Sequence, residues 1–403
     1  MKKRKLDAGV LSRENLKARP VRTACLVAVV TVLAFTLFGG SILALNLRRG
    51  LSTMTKRFGA DLMVVPEGAS DRAQAALLFG KTGYFYFDGT IAGKIARTEG
   101  VICASPQFFL TSLSTECCDA EVQLIAYDPE TDFVVQPWIA EKYGGAIQDG
   151  QVVTGSRISL DDDGSIKLFN HQYPVAAQLS RSAGGFDTSV FMTMNTMRLL
   201  IDRAHAEKYS FLADNYEDGV ISTVLAKVDP SKIPTLVARD IRKQNEGVEV
   251  LVSQGIFSVL AAALSGLVSY IHIFSVVLWV LAVIVLSAIF SLSVHERKKE
   301  FAVLRILGAT RKKLAGIVLG ESALAGIAGG GAGILLASLV VFPFSTLISE
   351  RLELPYLDAS PFSIVLLVAG SLVLSALTGP LASLYAAFRI SGAETYYTMR
   401  EGE

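Results

Sequence analysis

The sequence predicts a membrane protein with four transmembrane α-helices, arranged one plus three, and a large extracytoplasmic α+β domain between the first and second. Four long apolar runs carry this: Ala24 to Leu45, Phe274 to Val294, Leu314 to Phe344 and Pro361 to Phe388. Each reaches the roughly 20 residues that a bilayer crossing needs. Residues 48–262, between the first two runs, have ordinary globular composition. Basic residues cluster at one set of ends, which orients the spans. With 51% of 403 residues hydrophobic and 19% charged, the composition excludes a soluble protein, and a net charge of +1 identifies no partner.

Residues 1–22 read as a cytoplasmic elbow segment. Eight Lys/Arg lie between Lys2 and Arg22, against Asp7 and Glu14, and the positive-inside bias keeps such a segment in the cytoplasm. Val10, Leu11 and Leu16 among Arg13, Lys17 and Arg19 suit an amphipathic helix on the inner leaflet, a merely basic flank being the alternative. The first span, residues 23–47, exceeds a signal-peptide core in length and lacks a convincing small-residue cleavage site, so it reads as a retained anchor.

Within residues 48–262, Leu51 to Phe58 continues the helix and Gly59 ends it before a strand from Asp61 to Pro66. Ile91 to Arg97, Met192 to Lys208 and Pro234 to Asn245 read as helices. Val101 to Leu110, Glu121 to Tyr127, Val220 to Val228 and Val248 to Val252 read as strands, and Gln151 to Thr154 leads to the turn Asp161-Asp-Asp-Gly164. The aromatics Tyr84-Phe-Tyr-Phe87 alternate as in a strand filling two faces, a flat or lipidic ligand being the other reading. Asp128 to Trp138 reads as a turn, its carboxylates offering a cation site as the alternative. Cys103, Cys117 and Cys118 cannot all pair with one another; one disulfide would leave an odd thiol, and three buried or mixed cysteines are the reading favoured over a soft-metal site with His171, because no CxxC or HxxxH spacing supports metal.

Residues 263–403 hold the remaining spans. Gly316, Gly320, Gly326 and Gly330 form small-xxx-small pairs in the third span, as a helix closely packed against another helix would. Glu321 lies inside that span, where a carboxylate is costly and marks a functional or packing-critical position. The loop Ser349 to Ser360, with Glu350, Arg351, Glu353 and Asp358, falls outside, and Arg389 and Arg400 return the C-terminus to the cytoplasm.

The connector between the second and third spans is the most patterned stretch. Residues 295–313 carry seven Lys/Arg against two Glu, which places them on the cytoplasmic side. Phe301, Leu304 and Gly308 at 3–4 spacing make a small face suited to a partner's groove. Catalytic motifs are wanting: Leu78-Phe-Gly-Lys-Thr82 has Ala75 where a phosphate loop needs glycine, and no HExxH, GxSxG or kinase set occurs.

Arg297, Glu300, Leu304 and Gly308 follow the Arg-x-x-Glu-x-x-x-Leu-x-x-x-Gly pattern of FtsX/MacB-type permeases, the type VII ABC transporter permeases, and the chain resembles that family over essentially its whole length. Asn15 to Thr23 resembles the family's elbow, and Phe58 to Pro66 the start of its outer domain. The resemblance implies a non-enzymatic permease subunit whose coupling helix, residues 296–309, is gripped by a separate cytoplasmic ATPase through Arg297, Glu300, Phe301, Leu304 and Gly308. It implies no metal and no cofactor on this chain, with ATP and Mg on the ATPase, and as partners a second permease copy or related permease and membrane lipid, without nucleic acid. The work done outside would be export or extraction of a hydrophobic or amphipathic cargo, or signalling to an extracytoplasmic partner such as a cell-wall hydrolase.

Overall fold

In the computed structural model, which describes residues 8–112, 118, 121–206, 219–345, 347 and 354–392, the chain divides into two units. One comprises Met1–Asn46, Ser265–Thr346 and Ala359–Glu403; the other comprises Leu47–Leu264 and Leu347–Asp358. Cys117, Glu350, Arg351, Glu353 and Arg400, and the side chains of Val10, Leu11 and Arg389, lie outside the description.

The second unit is built on strands whose neighbouring residues are apolar on both faces, the pattern of a sheet covered on each side. The strands are β1 (Leu62–Pro66), β2 (Phe87–Asp88), β3 (Val101–Thr111), β4 (Gln123–Tyr127), β5 (Val152–Thr154), β6 (Ser165–Leu168), β7 (His171–Gln178), β8 (Ser189–Thr193), β9 (Val220–Ile221), β10 (Thr223–Val228) and β11 (Val248–Val252). Among the described residues nine of them form one mixed sheet in the order β11-β1-β10-β3-β4-β8-β5-β7-β6, and β2 pairs with β9. Pairing is antiparallel from β11 to β4; β4 then runs parallel to β8, and β5 parallel to β7.

Period-two alternation divides the apolar residues between two faces. Met63, Val65, Phe109, Ile125, Tyr127, Phe191 and Leu225 enter one core with helices α3 (Ser70–Phe79) and α5 (Gln136–Tyr143). Their neighbours Leu62, Val64, Val224 and Ala226 pack with α4 (Thr90–Ala96) and α7 (Pro234–Gln244). Phe108, Leu110, Leu124, Val190 and Met192 pack with α6 (Met194–Ala206). This is the α+β domain that the sequence predicts.

Several local expectations shift. The segment 192–208 splits, because Phe191 and Met192 still alternate into opposite cores, and helix begins at Met194, where the Thr196 backbone N–H donates to Thr193 Oγ1. Residues 220–228 are two strands broken at Ser222, whose hydroxyl accepts from the Phe109 amide. Of Tyr84 to Phe87 only Phe87 lies in a strand, but Phe85 meets Phe109 edge-on while Tyr86 stacks on Phe108, so the aromatics do serve both faces of the sheet. Asp128 to Trp138 is a turn leading into α5: Asp128 accepts from Glu130 N and Thr131 Oγ1, and one Asp132 oxygen gathers the amides of Val134, Val135 and Gln136. Cys103 is half-buried on β3 without a disulfide, and the Cys118 sulfur accepts from the Phe169 amide.

The membrane helices are long. Among the described residues four are long and apolar enough to cross a bilayer. They belong to α2 (Pro20–Phe58), α8 (Ser253–Glu296), α10 (Arg311–Val341) and α11 (Pro361–Gly392). At 1.5 Å per residue, α2 is about 58 Å long and α8 about 66 Å, twice a hydrocarbon core of about 30 Å. Gly59, at φ +64°, ends α2 in the left-handed conformation that glycine adopts without strain. A short helix α1 (Ala8–Ala18) precedes α2, and α9 (Lys298–Ile306) lies in the connector.

Glycines decide what α10 packs against. A methyl group added at Gly326 or Gly330 would fall 2.7 Å from the Ser375 carbonyl oxygen or 2.8 Å from Ser375 Cβ on α11. At Gly329 it would fall 2.7 Å from Val30 Cβ on α2, and at Gly320 2.7 Å from Ser12 Oγ on α1. Gly316 does not belong with them: no atom lies within 4 Å of that position. The expected Gly316/Gly320 pair is therefore a single close contact, at Gly320.

Candidate functional site

Glu321 is only 2% exposed, about ten residues into α10. A carboxylate there requires partners, and three elements supply them. Asn15 Nδ2 on α1 donates to Oε1 at 2.7 Å, and Arg22 Nη2 at the start of α2 donates to Oε2 at 3.1 Å. Arg297 Nη1, at the junction of α8 and α9, donates to both oxygens at 2.8 and 3.2 Å. Arg297 is itself 5% exposed, and its Nε donates to Glu300 Oε2 at 2.8 Å. Arg19 then reaches Glu300 at 3.1 Å and Glu296 at 3.4 Å, and Arg22 donates to the Ser293 hydroxyl. Charges alternate along the series Glu296, Arg19, Glu300, Arg297, Glu321, Arg22, with Arg297 and Glu321 buried and Arg22 partly buried.

The sequence pointed to Arg297, Glu300 and Glu321 as separate features; the structure brings them into one cluster. Asn15, Arg19, Arg22 and Ser293 were missed as partners. Arg22 read as part of a basic flank, and only its position in the first turn of a 39-residue helix would have hinted that its guanidinium faces the other spans. The Arg297 guanidinium, through its hydrogen bond above all, holds the Glu300 carboxyl below the usual range.

Helix α9 faces the opposite way from expectation. Phe301 is 5% exposed, lies 5.1 Å beneath the Arg297 guanidinium carbon and packs with Leu26, Leu286 and Leu314; Leu304 packs against the same cluster. Neither is presented to a groove. The exposed apolar side chains are Val303, Ile306 and Leu307, at 53%, 65% and 77%. The Arg297–Glu321 pair draws the Phe301 side of the helix inward, and the residues between the predicted positions point out. Gly308 likewise makes no groove face: at φ +89° it is the left-handed turn that ends α9 and returns the chain to α10. The Thr310 hydroxyl then accepts from the Lys313 amide at the start of α10.

Residues 272–390, which include this cluster's Ser293, Glu296, Arg297, Glu300 and Glu321 together with α9, match the family model of the FtsX-like permease C-terminal domain. Over those residues the chain is FtsX-like. Among solved structures, the periplasmic region of MacB from Actinobacillus actinomycetemcomitans is similar at 10% identity, covering 51% of this chain and 95% of that one, with a TM-score of 0.32. The extracellular domain of the noncanonic ABC-type transporter YknZ from Gram-positive bacteria is similar at 11% identity, covering 48% and 98%, with a TM-score of 0.28. No curated protein matches. The chain is a multi-pass membrane protein whose residues 272–390 match an FtsX-like permease domain.

Proposed function

We propose that this permease chain couples ATP hydrolysis by a separate cytoplasmic ABC ATPase to mechanical work on its globular unit. The observation that carries this is α9: one face anchored by Phe301 and the Arg297 ion pairs, the other presenting Val303, Ile306 and Leu307 to solvent. A short helix fixed on one side and apolar on the other is suited to seat in a partner's groove. The ATPase holds ATP and Mg²⁺, and a second permease copy or a related permease completes the assembly. The connector and both termini are cytoplasmic, in keeping with seven Lys/Arg in residues 295–313.

Movement of α9 then passes along the unbroken helices α2 and α8 to the globular unit as a rigid-body change. The spans hold too few polar residues to line a hydrophilic path, so the cargo is hydrophobic or amphipathic and is exported or extracted. One observation favours a second reading, signalling to an extracytoplasmic partner. A hollow of about 690 Å³ in the globular unit is lined by Asp128, Glu130, Asp149 and Arg198 as well as Phe108 and Met197, a mixed rather than apolar lining. ATPase activity of the co-purified complex in nanodiscs, with and without candidate amphipathic cargoes, separates the two. Stimulation by a cargo supports transport; coupled hydrolysis that ignores every cargo but responds to a soluble partner supports signalling.

A further inference from the structure

Helix α1 touches the membrane bundle at two independent points. Ser12, fully buried, donates its hydroxyl to the Ile317 carbonyl at 3.0 Å and sits where any side chain at Gly320 would have to go. One turn along α1, Asn15 Nδ2 donates to Glu321 at 2.7 Å. The same carboxylate holds Arg297, whose other edge holds Glu300 on α9. Arg19, immediately after α1, closes the ring by pairing with Glu296 at the end of α8 and with Glu300. The polar links from α1 to α9 run through Glu321, Arg297, Glu300 and Arg19, and of these Glu321 and Arg297 are buried.

We infer that Glu321 ties α1 to the α8–α9 junction, so that α1, α9 and the first turns of α10 move as one body when the connector is displaced. This deepens the proposed function and rests on its statement that α9 is the driven element. The physical reason is that a buried carboxylate with three donors has no intermediate arrangement to slide through: each donor given up leaves a buried polar group unpaired. Packed and paired elements of this kind shift together or separate in a discrete step. The place for α10 to bend lies farther along, at Gly326, Gly329, Gly330, Gly331 and Gly333, between Glu321 and Leu335, where glycine is the weakest helix former after proline. Asn15 and Glu321 are thus positioning residues, acting through Arg297 on the helix that the ATPase grips.

Spin labels on the full chain in nanodiscs with its ATPase test this. Labels replace the exposed Lys17 on α1 and Lys299 on α9, or Lys299 and the exposed Leu335 near the far end of α10. Pulsed distance measurements compare the nucleotide-free and vanadate-trapped states. The expected result is a Lys299–Leu335 distance that changes between states and a Lys17–Lys299 distance that does not. In Asn15→Ala, which leaves both arginine pairs in place, the Lys17–Lys299 distribution broadens or shifts while the Lys299–Leu335 change persists. A Lys299–Leu335 distance that is the same in both states removes the driven-connector reading. If that distance changes and Lys17–Lys299 changes with it in the unmodified sequence, the inference alone is overturned. A Lys17–Lys299 distribution that stays narrow and unmoved in Asn15→Ala overturns it too, because α1 would then be held without Glu321.

Discussion

Replacing Glu321 by alanine should be among the most damaging single changes in the membrane unit. Glu321 is 2% exposed and accepts four hydrogen bonds from Asn15, Arg22 and Arg297. Its removal leaves the buried Arg297 and the partly buried Arg22 without the carboxylate between them. Breaking a buried pair from one side costs about 3–5 kcal/mol. Here Arg297 keeps Glu300 and Arg22 keeps Ser293, which places the expected loss near the lower end, about 3 kcal/mol. Arg297→Met alone should cost a similar amount, whereas the double variant should recover much of the loss, because it removes the unpaired charge together with its partner. Thermal unfolding of the purified protein in detergent, arranged as a double-mutant cycle, reads the coupling directly. Additive losses in the double variant, or a Glu321→Ala protein as stable as the unmodified one, would refute the reasoning that the cluster is a mutually dependent buried network.

Gly329→Leu should prevent α10 from closing on α2, since even a methyl there would fall 2.7 Å from Val30 Cβ, while Gly316→Leu should be nearly silent; yield and monodispersity on size exclusion distinguish them. Gly308→Ala should cost about 1–2 kcal/mol, because φ +89° puts a β-carbon against the following carbonyl, and unfolding temperature shows it. In the globular unit, burial pushes the Asp132 carboxyl above its ordinary value of 3.8 despite the three amides that oppose the shift. The folded state therefore binds the proton more tightly than the unfolded chain, so this group's contribution to stability falls as pH rises from 3.8 through the raised value. Asp132→Asn keeps an oxygen for the three amides and should gain stability relative to the unmodified protein across that window, with the difference flat above it; thermal scans of both proteins against pH check this.

The spans and the alternation of the sheet were legible because each follows from local pattern: apolar length for α2, α8, α10 and α11, and period two for β1, β3, β4 and β10. The hairpin of β6 and β7 was not, since its turn is Phe169-Asn170, both at positive φ, rather than a pair containing glycine. Spacing on α9 offered two apolar stripes, Phe301 with Leu304 and Val303 with Ile306 and Leu307. Nothing within the helix says which turns inward. That choice is made by Arg297 pairing with Glu321, 24 residues away in sequence, together with Arg22 and Asn15, roughly 300 residues away. The flanking apolar runs placed the connector between α8 and α10 but carried no information on its rotation.

The most direct test of the account is whether the outward stripe of α9 is what the ATPase holds. Leu307→Asp and Val303→Asp should leave the permease folded, since both side chains are already more than half exposed, yet abolish co-purification of the ATPase and permease-dependent hydrolysis in nanodiscs. Full ATPase binding and undiminished hydrolysis in both variants would contradict the central claim that this face couples the motor to the membrane.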